Sequence, residues 1–233
     1  MLFVEGLQSR GCFHGSNKVT LENGEKKQIS ELENGDSVLA MNKGGSLIFS
    51  PVIMQIHQSP EEDSTFRIIR TSLGHNLTLT PNHLIYTRDG NENNMLVGGG
   101  SSFYTAFASA VKNGDYVLVN DGTNELKQDK VVEVATISLK GFYSPLTEEG
   151  NIVVGNILAS CYADFENHQL QHLAFAPFRW FHYAKTWINS KTEEENEGEN
   201  PIGEADVKLN LFHWYAQALE TAAKNLVPAR MNR

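Results

Sequence analysis

One six-residue phrase occurs twice in this chain, and it restricts the fold more than any other feature. Asn34-Gly35-Asp36-Ser37-Val38-Leu39 returns as Asn113-Gly114-Asp115-Tyr116-Val117-Leu118. At the same offset, Val52-Ile53-Met54-Gln55-Ile56 faces Val131-Val132-Glu133-Val134-Ala135. At a slightly different offset, the run around Thr80 faces Asn151-Ile152-Val153-Val154-Gly155-Asn156. Asn-Gly and Asp-Gly steps suit the tight turns between antiparallel strands, because these residues tolerate positive φ. A common turn can recur by chance. A matched strand behind it argues for duplication of a structural unit. Short β-prone runs such as Lys18-Val19-Thr20-Leu21, Ser37-Val38-Leu39-Ala40-Met41, Phe66-Arg67-Ile68-Ile69-Arg70 and Tyr116-Val117-Leu118-Val119 are separated by turn signals at Asn23-Gly24, Gly44-Gly45, Asp89-Gly90, Gly98-Gly99-Gly100 and Asp121-Gly122. The pattern predicts an all-β fold, sandwich or barrel-like, over residues 16–163, with pseudo-twofold symmetry and a central cleft.

Beyond Ala163 the texture changes. His172 to Ile188 is rich in aromatic residues, with Pro177 at a helix start or kink, and Leu211 to Val227 reads as a second amphipathic helix ended by Pro228. Residues 190–206 between them are acidic and polar, with little to bury, and read as a solvated linker. The two helices can form a hairpin with an apolar groove, or simply dock on the β domain and bury their rings. The expected division is residues 1–11, 12–163 and 164–233.

The formal net charge of −9 argues against nucleic acid as a partner, since that needs clustered Lys and Arg. No run approaches the ~20 apolar residues of a membrane-spanning helix. Glu5 interrupts the first apolar residues too early for a signal-peptide core, so the chain is expected to be a piece of a longer precursor. Two cysteines, Cys12 and Cys161, are too few for a disulfide scaffold. A bridge between them would block Cys12 as a nucleophile. No metal or other cofactor is expected, and the chain is expected to be a monomer.

Gly11-Cys12-Phe13 puts a thiol one peptide bond after a residue with no side chain, which leaves the Gly11 carbonyl unhindered. Attack by Cys12 on that carbonyl forms a five-membered ring and then a thioester. Amide resonance opposes the reaction, so the departing nitrogen needs a positioned proton donor. Thr80-Pro81-Asn82-His83 supplies a candidate: His83 as donor, with Thr80 bonded to His83 or to the scissile carbonyl. A thioester then reacts with a second nucleophile, dividing one hard cleavage into two easier steps. Each residue also has a plainer reading. Cys12 can be an inert thiol, His83 a satisfied structural histidine, and Cys161 a small core residue. His57 can belong to core or surface.

Taken together, these segments resemble the C-terminal autoprocessing region of hedgehog proteins, within the Hint (hedgehog–intein) superfamily. The resemblance runs from Gly11 to about Val227. It includes Leu79-Thr80-Pro81-Asn82-His83-Leu84, Ser144-Pro145-Leu146-Thr147-Glu148-Glu149-Gly150-Asn151-Ile152, Leu158-Ala159-Ser160-Cys161-Tyr162-Ala163, Ala174-Phe175-Ala176-Pro177-Phe178-Arg179 and His213-Trp214-Tyr215-Ala216. The last two segments distinguish it from inteins.

The resemblance implies a Hint-type β domain with a small helical appendage. It implies self-cleavage at Gly11–Cys12, with Cys12 as nucleophile, His83 as proton donor and Thr80 as its partner. Cys161 is implied as a redox or structural partner. The tail, with Phe175, Phe178, Trp180, Trp187, Trp214 and Tyr215, is implied to bind cholesterol or another sterol. That co-substrate's hydroxyl would take the N-terminal signalling fragment. Processing in the endoplasmic reticulum lumen, on the secretory pathway, and membrane association through the sterol region follow from the same likeness.

His57 stands where the family has an aspartate that activates the sterol hydroxyl. Histidine can also accept a proton, with the opposite charge once protonated. His14 stands where a proline is common. No His-Asn pair precedes a Cys, Ser or Thr at the C-terminal end, so cleavage without ligation is expected. Transfer of the thioester to water or another alcohol, and a non-catalytic lipid-binding module, are the competing readings.

Overall fold

The computed structural model describes residues 11–90, 103–123 and 125–163, all within the compact unit Met1–Phe175. The expected helices after residue 163, the acidic linker, residues 1–10 and the Gly98–Gly100 turn lie outside the described residues.

Twelve strands form one continuous twisted sheet: β1 (Phe13–His14), β2 (Lys18–Thr20), β3 (Lys26–Gln28), β4 (Ser37–Met41), β5 (Leu47–Thr71), β6 (Asn76–Leu79), β7 (His83–Arg88), β8 (Tyr104–Phe107), β9 (Tyr116–Asn120), β10 (Leu126–Thr147), β11 (Asn151–Val154) and β12 (Ile157–Ala163). Among the described residues, a single 3-10 turn, Ile29–Glu31, interrupts them. The spatial order is β3-β2-β11-β12-β7-β9-β10-β1-β6-β5-β4, with β8 on the side of β7 and further pairings of β12 with β9 and of β10 with β5. No described helix is long and apolar enough to cross a membrane.

The repeated phrase folds the same way twice. The Gly35 N–H donates to the Val52 carbonyl at 2.8 Å, and the Val52 N–H donates to the Asp36 carbonyl at 2.8 Å. In the second copy Gly114 donates to Val131 and Val131 donates to Asp115, each at 2.8 Å. Asp36 Oδ2 accepts the Glu33 N–H at 2.8 Å, and Asp115 Oδ2 accepts the Lys112 N–H at 2.9 Å. Gly35 and Gly114 have φ of 95° and 99°, a region that side chains disfavour, which explains the glycine in both copies. Val38 and Val117, then Val52 and Val131, occupy matching places in one apolar core. The strands after the long arms also correspond, β6–β7 in one half and β11–β12 in the other.

One expectation needs correction. The sheet is not built of short strands alone. β5 and β10 contain 25 and 22 residues and pair antiparallel from Thr71 opposite Val131 to Val52 opposite Thr147. Register shifts break the ladder, one of them between Lys140 and Phe142. Gly141 there has φ of 86°, and its Cα faces the Pro60 carbonyl closely enough that an added Cβ would sit 3.1 Å from it. The polar stretch Gln58 to Asp63 resembles a loop in sequence, yet β10 holds it as strand. Long paired arms of this kind bend at their bulges and wrap the core.

Candidate active site

The site begins with a turn. The His83 N–H donates to the Thr80 carbonyl at 3.1 Å, closing Thr80-Pro81-Asn82-His83 into a tight reversal between β6 and β7. Proline at the second position of such a turn has its φ already set. The three-residue spacing therefore brings the Thr80 and His83 side chains to one place. β1 lies against this turn, between β6 and β10, with Phe13 opposite Leu79 on one side and Tyr143 on the other.

Backbone and side chain both fasten Cys12 to Thr80. The Thr80 N–H donates to the Cys12 carbonyl at 2.8 Å, and the Cys12 N–H donates to Thr80 Oγ1 at 2.9 Å. The Thr80 hydroxyl thus accepts from the Cys12 nitrogen, a partner that the sequence did not suggest. Asn17 reinforces the arrangement. Its Nδ2 donates to the carbonyls of His14 and Thr78 at 2.7 and 2.6 Å, and its Oδ1 accepts the Thr78 N–H at 3.0 Å. The buried amide thus binds the end of β1 to β6, two residues before Thr80.

His83 is fully buried. Its Nε2 lies 2.7 Å from the Ser160 carbonyl, which has no proton to give, so Nε2 carries the hydrogen. Its ring packs on Phe13 with centroids 4.1 Å apart. Nδ1 is therefore the bare nitrogen of the neutral ring, and it has no hydrogen-bond partner. Burial pushes the ring down to about 4, against the opposing pull of the Ser160 carbonyl and the nearby Gly11 backbone. The Gly11 backbone acts on the ring electrostatically without a well-formed hydrogen bond to Nδ1. At neutral pH His83 is an uncharged ring close to the Gly11 backbone.

Neither cysteine is in a disulfide, and both are buried. Thr147 Oγ1 donates its one proton to the Asn151 carbonyl at 2.8 Å, so the Cys161 thiol is the donor in its 3.5 Å contact with Thr147. Burial pushes the Cys161 thiol up to about 11. Tyr86 is raised above the ordinary phenol range, first by burial and then by Cys161. A protonated, enclosed thiol suits a structural role better than a redox one.

His57 lies on β5 opposite Ser144 of β10, its ring stacked on Phe142 with centroids 5.1 Å apart. Ser59 Oγ is 3.4 Å from its Nε2. Since Phe13 faces Tyr143, the same register sets Cys12 level with Ser144. His57 is thus two strands from Cys12, roughly 10 Å at the usual strand spacing. The structure fastens both Cys12 and His83 to Thr80, packs His83 on Phe13 next to Cys12, and leaves His57 two strands away. The sterol-region residues Phe175, Phe178, Trp180, Trp187, Trp214 and Tyr215 lie outside the described residues. Sequence reasoning missed Asn17, Phe13 and the Ser160 carbonyl. The first two carry no sequence signal beyond proximity to Cys12, and a backbone acceptor carries none.

A duplicated β domain with a buried thiol at the head of its first strand, pinned by a threonine–histidine turn, is the layout of self-processing β modules. The family model of the Hint module matches residues 4–228, and the chain belongs to that family. It is 40% identical over 215 residues to the Tiggy-winkle hedgehog protein of Danio rerio, covering 91% of this chain and 48% of the relative. It is 34% identical over 220 residues to the protein hedgehog of Drosophila virilis, covering 94% and 44%. The chain spans about half the length of these curated relatives. Among solved structures, a DnaB intein from Synechocystis superposes with a TM-score of 0.51 at 16% identity, covering 66% of this chain and 99% of the intein. The Ssp DnaB mini-intein variant M86 gives 0.53 at 16%, covering 70% and 100%. At such identity the likeness is one of fold, and it matches the all-β architecture described above.

Proposed function

We propose that this chain cleaves its own backbone at Gly11–Cys12 through a thioester and passes the N-terminal fragment to the hydroxyl of a sterol such as cholesterol. The observation that carries the reading is the Cys12 N–H held by Thr80 Oγ1 beside the bare Nδ1 of His83.

The geometry supports a definite proton path. Nδ1 takes the Cys12 thiol proton, and the thiolate attacks the Gly11 carbonyl carbon. The C–N bond then breaks, and the same proton passes from Nδ1 to the leaving nitrogen, which departs as an amine. Burial acts on the two halves in opposite senses. The ring is neutral and unoccupied at pH 7; burial weakens it as a base for the thiol proton, and in return makes its conjugate acid, with a pKa of about 4, strong enough to protonate a poor leaving group. Thr80 Oγ1 holds the N–H on one side, leaving the nitrogen's other side for the incoming proton. Buried, pre-oriented groups of this kind lower a barrier by on the order of 7–11 kcal/mol when ideally placed.

In the second step the acceptor hydroxyl attacks the thioester, with His57 as its base, and Cys12 leaves as thiolate. The 40% identity to a hedgehog protein supports a sterol as acceptor. The segment after residue 163, with Phe175, Phe178, Trp180, Trp187, Trp214 and Tyr215, would recognise it. The same likeness supports processing on the secretory pathway and membrane association through the sterol.

The test is a mass spectrum of the released N-terminal fragment, made with and without cholesterol. A gain of one sterol, less water, relative to the free acid is expected. Release as the free acid alone, in the presence of cholesterol, would leave water as the acceptor. Cys12→Ala is expected to abolish release under both conditions. Release that survived that change would refute the thioester.

A further inference from the structure

We infer that Ser144 belongs to the machinery of the second step: it takes the hydroxyl of the acceptor alcohol and relays its proton to His57. This inference rests on the reading of the second step given above.

Three facts about the sheet support it. First, β1, β10 and β5 lie side by side at this level, because Phe142 and Tyr143 pair with β1 on one edge and with β5 on the other. His57 is directly opposite Ser144, and the Phe13–Tyr143 pairing continued by one residue sets Cys12 opposite Ser144 as well. Side chains directly opposite in an antiparallel ladder point to the same face. Cys12, Ser144 and His57 therefore form one row on one face, with the serine in the middle. Phe13 and Tyr143 point to the other face. The stacking of His57 on Phe142, two residues from Ser144, agrees with that assignment.

Second, Ser144 is only 5% exposed, yet its hydroxyl makes no hydrogen bond among the described residues. Its oxygen is not among the enclosed, unpartnered polar atoms of the described residues, so it stays open to the hydroxyl of an incoming acceptor. Third, the row runs from a fully buried Cys12 to a half-buried His57. An alcohol approaching from the His57 end meets Ser144 before it reaches the thioester.

The step balances without any further reactant. The acceptor O–H gives its proton to Ser144 Oγ as the Ser144 proton passes to His57. The acceptor oxygen bonds to the Gly11 carbonyl carbon, and the C–S bond breaks. The proton on His57 returns to the Cys12 thiolate. The net change is alcohol plus thioester to ester plus thiol. A thiol reagent attacks through its thiolate fraction, which forms in solution without a protein base, and so does not need the relay.

The experiment uses the full chain as wild type, Ser144→Ala and Ser144→Thr. Fragment release by dithiothreitol is timed in parallel with ester formation from detergent-solubilised cholesterol. Ser144→Ala should release fragment with thiol within about twofold of wild type and form ester at least tenfold more slowly, as general acid–base contributions of about 10²–10⁴ allow. Ser144→Thr, which keeps a hydroxyl on a strand, should recover most of the ester rate. Equal ester rates for Ser144→Ala and wild type would overturn the relay. So would equal losses with thiol and sterol, which would mark Ser144 as merely structural. If wild type releases fragment with thiol but forms no ester, the alcohol step and Ser144 fall together while the first step stands. No thiol release by wild type would remove the whole reading.

Discussion

His83 combines two properties that usually exclude one another, a fully buried side chain and, in the proposed reaction, a job that requires charge. The Ser160 carbonyl makes this workable by fixing the tautomer, so the ring stores its lone pair on the side of the scissile bond. The stability consequence has a definite sign. The folded ring stays neutral down to about pH 4, while an unfolded imidazole takes a proton near its ordinary value of 6.5. Between those limits the unfolded chain holds more protons, so stability falls as pH drops through that window, by up to roughly 3 kcal/mol from this group. His83→Gln keeps a donor for Ser160 and cannot titrate. Urea midpoints at pH 7 and 4.5 should therefore differ less in that variant than in wild type. An identical pH loss in both would mean that the ring is not buried neutral. His83→Ala should also block release by dithiothreitol. Thr80→Val removes the acceptor on the scissile nitrogen, a loss of about 1–3 kcal/mol that corresponds to roughly 10–100-fold in release rate. Full-speed release by Thr80→Val would leave that hydrogen bond without a catalytic part.

At the scale of elements, what the sequence revealed was local and what it hid was not. The paired turns at Gly35 and Gly114 were readable because a turn's chemistry lies within four residues. Cys12 and the Thr80–His83 pair were readable for the same reason, each lying in a short, distinctive segment. The length of β5 was not. Pro51, Pro60 and the run Glu61-Glu62-Asp63 read as interruptions, and only the partner strand makes them continuous. The row from Cys12 through Ser144 to His57 is a matter of register, set by bulges that sequence does not announce. The bulge at Gly141 is open to test. Gly141→Ala would combine an unfavourable φ of 86° with a Cβ only 3.1 Å from the Pro60 carbonyl. It should lower stability by about 1–3 kcal/mol, read as a shift in urea midpoint at constant slope. A midpoint unchanged from wild type would show that the bulge has slack and does not hold the two arms in register.

For the molecule as a whole, the described residues supply every group that the proposed first step names. Cys12, Phe13, Asn17, Thr80, His83 and the Ser160 carbonyl all belong to the described β module, and the strand that supplies Ser160 is itself paired to β7, β9 and β11. The proposed proton path from thiol to amine is written with described residues alone. The second step is different in kind, because a largely apolar acceptor has to be captured before its hydroxyl can reach the thioester. In the described part of the site, the row that ends at His57 supplies polar groups for that hydroxyl. The aromatic residues from Phe175 to Tyr215 are the sequence's other large apolar resource. A chain ending at Ala163 is therefore expected to unfold cooperatively and to release its N-terminal fragment with dithiothreitol at a rate within about threefold of the full chain. Added cholesterol should produce no ester on that fragment. Both readings come from one experiment: thiol release timed on a gel, and fragment mass measured after incubation with sterol. Sterol ester formed by the truncated chain at the full-length rate would end the case for the tail as the recognition element. A truncated chain that still unfolds cooperatively but no longer responds to thiol would show that the tail also serves the first step.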